Sequence, residues 1–305
     1  MTPSVKVYGE ALQRFMLRRH QIYLKRLAGE PAPWSGDPIF QQYKFTNVYR
    51  ELDRVTVWVK RHWRDPYLDH PNLWFAMAMA RQINWPDTLE EIGFPHKWTD
   101  REAHRVVSVM RDRAARGEKV YTGAYMLRCD IQDASTPDKP AYTVWKVLNP
   151  LMHDLRGLAW SGPLFFDKLL NSLPRERSVQ SVNEWFMCHH GWGGFLSYEV
   201  VTDLMETPLL GSAHDRDTWA FAGPGAVRGL NRLLGIPYKQ SMKPAKALAH
   251  MVELLGYLNQ NWPKDWPTLH LREVEHSLCE FDKYQRVRHG QGAPRSLFKP
   301  QESLP

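Results

Sequence analysis

Apolar residues recur at helical spacing along most of this chain. Over residues 5–27, Leu12, Phe15, Ile22 and Leu27 punctuate a charged sequence as the buried stripe of an amphipathic helix does. Gly29 ends that pattern, and Pro31, Pro33, Gly36 and Pro38 follow as a linker. Further helical patterns cover residues 46–63, 72–84, 100–116, 141–156, 164–173, 179–188, 195–205, 243–259 and 269–289, with a tight turn near Gly223. Residues 120–129 alone read as a strand pair. The pattern predicts a mainly α fold with at most a small β hairpin. It divides into an N-terminal helix and linker (1–35), a helical domain (36–290) and a basic, Gly/Pro-rich tail (291–305).

Composition sharpens this picture. With 305 residues, 43% of them hydrophobic, the chain can bury a substantial core, so disorder is not expected. The 13 Trp, 12 Tyr and 12 Phe are many for a mean hydropathy of −0.51, so rings must also reach polar edges, where some can stack on a planar ligand. Forty Lys and Arg against 33 Asp and Glu give a charge of +7, which suits a polyanionic partner.

Cys129, Cys188 and Cys279 stand too far apart for a zinc pair or a disulfide framework, in keeping with a reducing compartment. Charges throughout Arg14 to Arg26 leave no apolar run of signal or membrane-spanning length, so a cytoplasmic protein without membrane contact is expected. No Gly-rich loop ending in Lys-Ser/Thr and no GxGxxG after a strand occurs, which argues against a P-loop kinase or a dinucleotide enzyme.

Four segments carry candidate chemistry. Read as a helix at about 100° per residue, 46–63 with its flank places Phe45, Val48, Leu52, Val55, Val59 and Trp63 on one stripe. Asn47, Arg50, Arg54 and Arg61 then share the opposite face, a candidate phosphate- or pyrophosphate-binding surface, with Glu51 and Asp53 placed to orient the arginines. The alternative is a solvated charged face.

In the last helix, Leu271, Val274, Leu278 and Phe281 form the buried stripe, and Glu275 and Asp282 project at its edge. Two carboxylates at that margin are costly to desolvate without partners or a task, which makes them catalytic candidates ahead of Glu280, which points the other way. Buried salt bridges are the competing explanation. His276 and Lys283 are expected toward the exposed side, in contact with phosphate.

Around HHGWGGFLSYEVVTDL, three glycines precede a helix start whose free amides can face an anion. The first turns of that helix carry Tyr198, Glu199, Thr202 and Asp203, and Glu199 joins the catalytic candidates. Cys188, His189 and His190 lack a matching second ligand pair, so no metal site is expected. In WAFAGPGAVRGLNRLLG, Gly223 and Gly225 resemble the hairpin of a helix-hairpin-helix element, whose amides hold a DNA phosphate with Arg228 and Arg232 in support; a plain helix-helix turn is the alternative.

Together KFTNVYRELDRVT, GWGGFLSYEVVTDL, GPGAVRGLNRLLG and EHSLCEFDKYQRVRHGQGAPR resemble the phage amino acid:DNA transferases, also called alpha-glutamyl/putrescinyl thymine pyrophosphorylases, and the related helical domain found with 5-hydroxymethyl-deoxyuridine DNA kinases. The resemblance spans residues 43–300 and implies an architecture similar to the helix-hairpin-helix DNA glycosylases. It implies DNA carrying a modified thymine as one substrate and a free amino acid or other amine as the second, with pyrophosphate displaced from the base's 5-methylene. It also implies a 5-hydroxymethyl-deoxyuridine DNA kinase as functional partner, and makes Mg²⁺ a candidate aid to pyrophosphate departure. On that reading Glu275 or Asp282 deprotonates the amine, Arg50 and Arg54 neutralise the departing group, and Tyr198 or Trp192 stacks on an extruded base. A glycosylase-like base hydrolase and a non-catalytic DNA-binding module are the competing readings.

Overall fold

The structure, a computed structural model, describes residues 4–123, 138–153 and 161–300. Helices dominate, as the hydrophobic periodicity predicts, and among the described residues the β structure is an isolated antiparallel bridge between Tyr43 and Leu297. Residues 120–123 are irregular, and the rest of the expected strand pair lies outside the described residues.

Contacts divide the chain into two compact units, Met1–Arg54 with Asp217–Pro305 and Val55–Arg216. The first unit opens with α1 (Val5–Leu27) and α2 (Pro38–Gln42). The second runs through α3 (Arg54–Val59), α4 (Leu73–Ile83), α5 (Pro86–Ile92), α6 (Asp100–Ala115), α7 (Lys139–Tyr142), α8 (Asn149–Met152), α9 (Gly162–Asn171), α10 (Val179–Met187) and α11 (Gly194–Leu204). The chain then returns to the first unit with α12 (Pro224–Leu233), α13 (Pro244–Asn261) and α14 (Leu271–Arg288).

In the first unit α1, expected as a separate segment, packs on α12, α13 and α14. Gly9 permits the approach to α13, since a Cβ there would lie 2.5 Å from the Tyr257 ring. Phe15, Phe40, Phe45, Phe281 and Tyr284 form the aromatic core, with Phe15 and Phe281 centroids 5.7 Å apart and Phe40 stacked on Tyr284 at 5.2 Å. Asp217 accepts the main-chain N–H of Leu271 at 3.1 Å, which fixes where α14 starts. The basic tail is tied down as well: Lys44 N–H donates to Ser296 and Phe298 N–H to Gln42.

In the second unit α4 is apolar from Leu73 to Ala80 and buried along its whole length, so it forms the core on which α11 packs. Trp74 stacks on Phe166 at 4.5 Å, and Gly162 leaves the space that the Trp74 ring fills.

The continuous helix expected over 46–63 is replaced by extended chain to Tyr49, a 3₁₀ turn at Arg50–Leu52, α3 and a π-helical stretch at Lys60–Arg64. The reason is non-local. Arg19 occupies the Phe45 carbonyl that a helix would offer to the Tyr49 N–H, and Thr46 N–H donates to the Glu280 carboxylate, so the segment is held out of a helix by distant partners. The expected stripe survives in part, since Phe45, Val48, Val59 and Trp63 are buried; the opposing basic face does not, because Asn47 and Arg50 are buried too.

Candidate functional site

α14 runs through the middle of the first unit against α1, α2, α12 and α13, so polar side chains on several of its faces are buried. Glu275, Glu280 and Asp282 are only 5%, 8% and 1% exposed. Burying carboxylates requires partners, and each has them.

α12 supplies those of Asp282. Gly225 and Gly229 face α14 so closely that a Cβ on the first would lie 2.3 Å from Cys279 Sγ, and on the second 2.2 Å from the Leu278 carbonyl oxygen. That approach carries Arg228 and Arg232 onto Asp282, with Arg228 Nε donating to Oδ2 and Arg232 Nε to Oδ1, both at 2.8 Å. Arg286 Nε stands 3.5 Å from Oδ2. Asp282, a base candidate from sequence, is thus held as an arginine-bound carboxylate.

Glu275, seven residues earlier on α14, accepts the main-chain N–H of Gly223 at 3.1 Å. Gly223 is the N-cap of α12 and Pro224 its first residue, a position where the missing amide hydrogen costs nothing. The hairpin reading of GPG is corrected accordingly. The segment is a helix start, the residues from Glu206 to Phe221 before it form turns and irregular chain instead of a preceding helix, and Gly225 packs on Cys279.

A second polar cluster joins the Thr46–Asp53 segment to α14. Arg19 donates to Phe45 O and, at 2.8 Å, to Asn47 Oδ1, while Asn47 Nδ2 donates to Leu52 O at 2.6 Å. Both ends of the Asn47 amide therefore brace this segment. Burial pushes the Arg19 guanidinium down to about 10, opposed by Asp53 and Glu280, so it stays charged.

Asp53 accepts Asn47 N–H at 2.8 Å, and its Oδ2 lies 3.4 Å from His276 Nε2. Burial alone would raise the Asp53 carboxyl and depress His276; their pairing overrides it, holding Asp53 below and His276 above its ordinary value. Arg50 and Glu280 lie within electrostatic range of His276, and the Arg50 side chain is buried. His276, expected toward solvent, is thus an internal partner of Asp53, and Glu280, expected to point away, binds Thr46 N–H at 3.0 Å and Lys283 Nζ at 2.6 Å. Lys283 also sits 5.0 Å from the Phe45 ring centroid, and Arg54 is exposed.

The candidates of the second unit are packed into its interior. Tyr198 and Trp192 are 2% and 3% exposed, and Trp192 Nε1 donates to Val147 O at 3.1 Å, so neither ring presents a free face for stacking. Glu199 is buried on α11. On the next turn Asp203 binds the Nε/Nη2 edge of Arg81 with both oxygens, Nε donating at 2.5 Å, and Arg81 Nη2 also donates to Thr56 Oγ1 at 3.0 Å. His189 Nδ1 contacts Trp185 O at 2.9 Å and His190 Nε2 contacts the Tyr142 hydroxyl at 2.7 Å.

Among the described residues no group of three or more His, Cys, Asp or Glu is arranged to hold a metal ion. Glu275 and Asp282 are engaged by an amide and by arginines, so these side chains do not form a carboxylate set for Mg²⁺. No described helix is long and apolar enough to cross a membrane.

Buried carboxylates that organise arginines sit on a frame that is mainly α-helical among the described residues, which defines the class as a helical domain. Residues 6–293 match the family described as the helical domain of 5-hmdU DNA kinase, and the chain belongs to that family. The 5-hmdU DNA kinase of Bacillus phage SP10 is 28% identical to it over 286 residues, which cover 88% of this chain and 43% of the relative. The chain thus spans less than half the length of that curated relative. The resemblance to the helical domain associated with these kinases is thereby established. No solved structure matches the chain.

Proposed function

We propose that this chain acts in the hypermodification of thymine-like bases in phage DNA, as an amino acid:DNA transferase. One observation carries the reading. The chain matches the helical domain of 5-hmdU DNA kinase over residues 6–293, and its motifs resemble those of the amino acid:DNA transferases, whose reaction displaces pyrophosphate from the phosphorylated base. A chemistry later than phosphorylation fits such a chain. The nitrogen of an amine attacks the 5-methylene carbon of pyrophosphorylated 5-hydroxymethyl-deoxyuridine, the carbon–oxygen bond breaks, and its electron pair leaves with pyrophosphate.

Glu275 is the residue best suited to take the proton that the amine must lose, since it is a carboxylate held by a main-chain amide. Asp282 is less suited, because its two carboxylate oxygens already accept from Arg228 and Arg232, with Arg286 3.5 Å away. That same saturation favours the second reading, a DNA-binding module that presents modified DNA to a separate kinase or transferase.

The two separate in one experiment. The protein is incubated with pyrophosphorylated hydroxymethyl-deoxyuridine DNA and mixed amino acids, and the DNA is digested to nucleosides for mass spectrometry. An aminoacylated nucleoside with released pyrophosphate establishes the transferase. Unchanged DNA that nonetheless binds the protein establishes the module, and abasic sites would reveal a base hydrolase.

A further inference from the structure

The surroundings of Asp282 hold more positive charge than one carboxylate balances. Arg228, Arg232 and Arg286 converge on it, the Arg232 guanidinium lies 4.5 Å from the Tyr238 ring centroid, and Lys239 Nζ lies 5.5 Å from the same ring. Three guanidiniums thus face one buried acid, with Lys239 beside the ring that Arg232 covers, and like charges gathered this closely call for a further anion.

The geometry also shows which edges are available to it. A guanidinium has two hydrogen-bonding edges, and Arg228 and Arg286 each turn the Nε side toward Asp282. Their side chains are 35% and 34% exposed, and among the described residues nothing accepts a hydrogen bond from their terminal nitrogens. Arg232 differs: it is 9% exposed and its Nη2 donates to Gln291 Oε1 at 2.9 Å, so it serves as the inner wall.

We infer that Arg228 and Arg286, backed by Arg232, form a phosphate-binding fork on the first unit, and that Asp282 is the positioning residue that aims it. Arg228, hydrogen-bonded through Nε, and Arg286, ion-paired through Nε at 3.5 Å, are restrained by a common carboxylate, so their terminal N–H groups lose less rotamer entropy on binding than those of free arginines. Gly225 and Gly229 are the sequence requirement, because only a close helix pair brings an α12 arginine and an α14 arginine to one acid. The ligand chemistry is phosphate oxygen, from the DNA backbone or from pyrophosphate on a modified base. The inference holds whether or not the protein transfers an amine.

The test is equilibrium binding by the full chain, followed by fluorescence anisotropy over a series of salt concentrations. The probes are unmodified duplex DNA, the same duplex carrying pyrophosphorylated hydroxymethyl-deoxyuridine, and inorganic pyrophosphate as competitor. Arg228→Gln and Arg286→Gln alter half-exposed side chains, and circular dichroism checks that each variant folds as the parent does. Each should reduce the slope of log K against log salt by about one, and the pair together should weaken binding by roughly tenfold or more.

Asp282→Asn adds a net positive charge, which by simple attraction would tighten DNA binding. If Asp282 aims the fork, that variant instead binds more weakly and with a shallower salt slope at unchanged helix content. Equal losses on both duplexes assign the fork to backbone phosphate. A loss confined to the modified duplex, with weaker competition by pyrophosphate, assigns it to the base's pyrophosphate. Unchanged affinities and slopes for both arginine variants on all three probes would overturn the inference.

Discussion

His276 Nε2 lies 3.4 Å from Asp53 Oδ2, which joins the last long helix to the segment ahead of α3 through a charged pair inside the first unit. Pairing raises His276 above 6.5 and lowers Asp53 below 3.8, so each contributes stability over a different range. The contribution of His276 is complete below 6.5 and fades as pH climbs through its raised folded value. That of Asp53 is complete above 3.8 and fades as pH drops through its lowered one. The Tm difference between the parent and His276→Gln should therefore peak at roughly pH 4–6 and narrow toward pH 8. A difference independent of pH would show that His276 is not charged in the folded protein.

Gly229 and Gly256 are both helical glycines, and they should respond to alanine with opposite signs. A Cβ at Gly229 meets the Leu278 carbonyl oxygen at 2.2 Å, whereas at Gly256 nothing lies within 4 Å. Gly256→Ala should gain the ordinary helix preference of about 0.5–1 kcal/mol. Gly229→Ala should lose about 1–3 kcal/mol by forcing α12 from α14. Thermal denaturation of the two variants checks both signs.

Arg81 and Asp203 form a buried pair in the second unit, each side chain 2% exposed. Removing one partner strands the other charge, so Arg81→Met or Asp203→Asn should each cost about 3–5 kcal/mol. The double variant Arg81→Met/Asp203→Leu should recover a large part of that loss. Chemical denaturation of the three proteins would contradict the argument if the double variant were as unstable as the sum of the singles.

Cys279 is enclosed between α14 and Gly225, and burial beside Glu280 and Glu275 pushes its thiol up to about 12. Cys188 is exposed. Iodoacetamide at pH 8 should label Cys188 at least tenfold faster than Cys279, since alkylation follows the thiolate fraction and access. Peptide mass spectrometry over a time course measures the ratio, and comparable rates would mean that α12 opens readily from α14.

Helices whose interactions are local were legible in the sequence. The expected 243–259 and 269–289 lie close to α13 and α14 because the apolar period and the turn residues agree there. The periodicity over 46–63 is genuine, but Arg19 holds the Phe45 carbonyl and Glu280 the Thr46 amide, and no local rule reveals partners 26 and 234 residues away.

The candidate site shows the same limit. Glu275 and Asp282 lie buried at the edge of the α14 stripe, and Asp282 takes the salt-bridged alternative with arginines from α12 and from α14 itself. His276 and Glu280 were misplaced because a stripe argument assumes one wet face, and α14, enclosed by four helices, lacks a fully solvated one. The spacing of Gly225 and Gly229 was the available signal for the close helix pair.

The first unit is assembled from two stretches of chain separated by the whole of the second. Tyr8 on α1 donates to Glu253 on α13, 245 residues later. During synthesis the contiguous second unit can reach its native packing early, while α1 must wait on the ribosome's progress through α14 before its apolar stripe is covered. Throughout that interval α1 is exposed to chaperones and proteases, and loop closure around an already ordered insert costs less entropy than closure of a free coil of equal length.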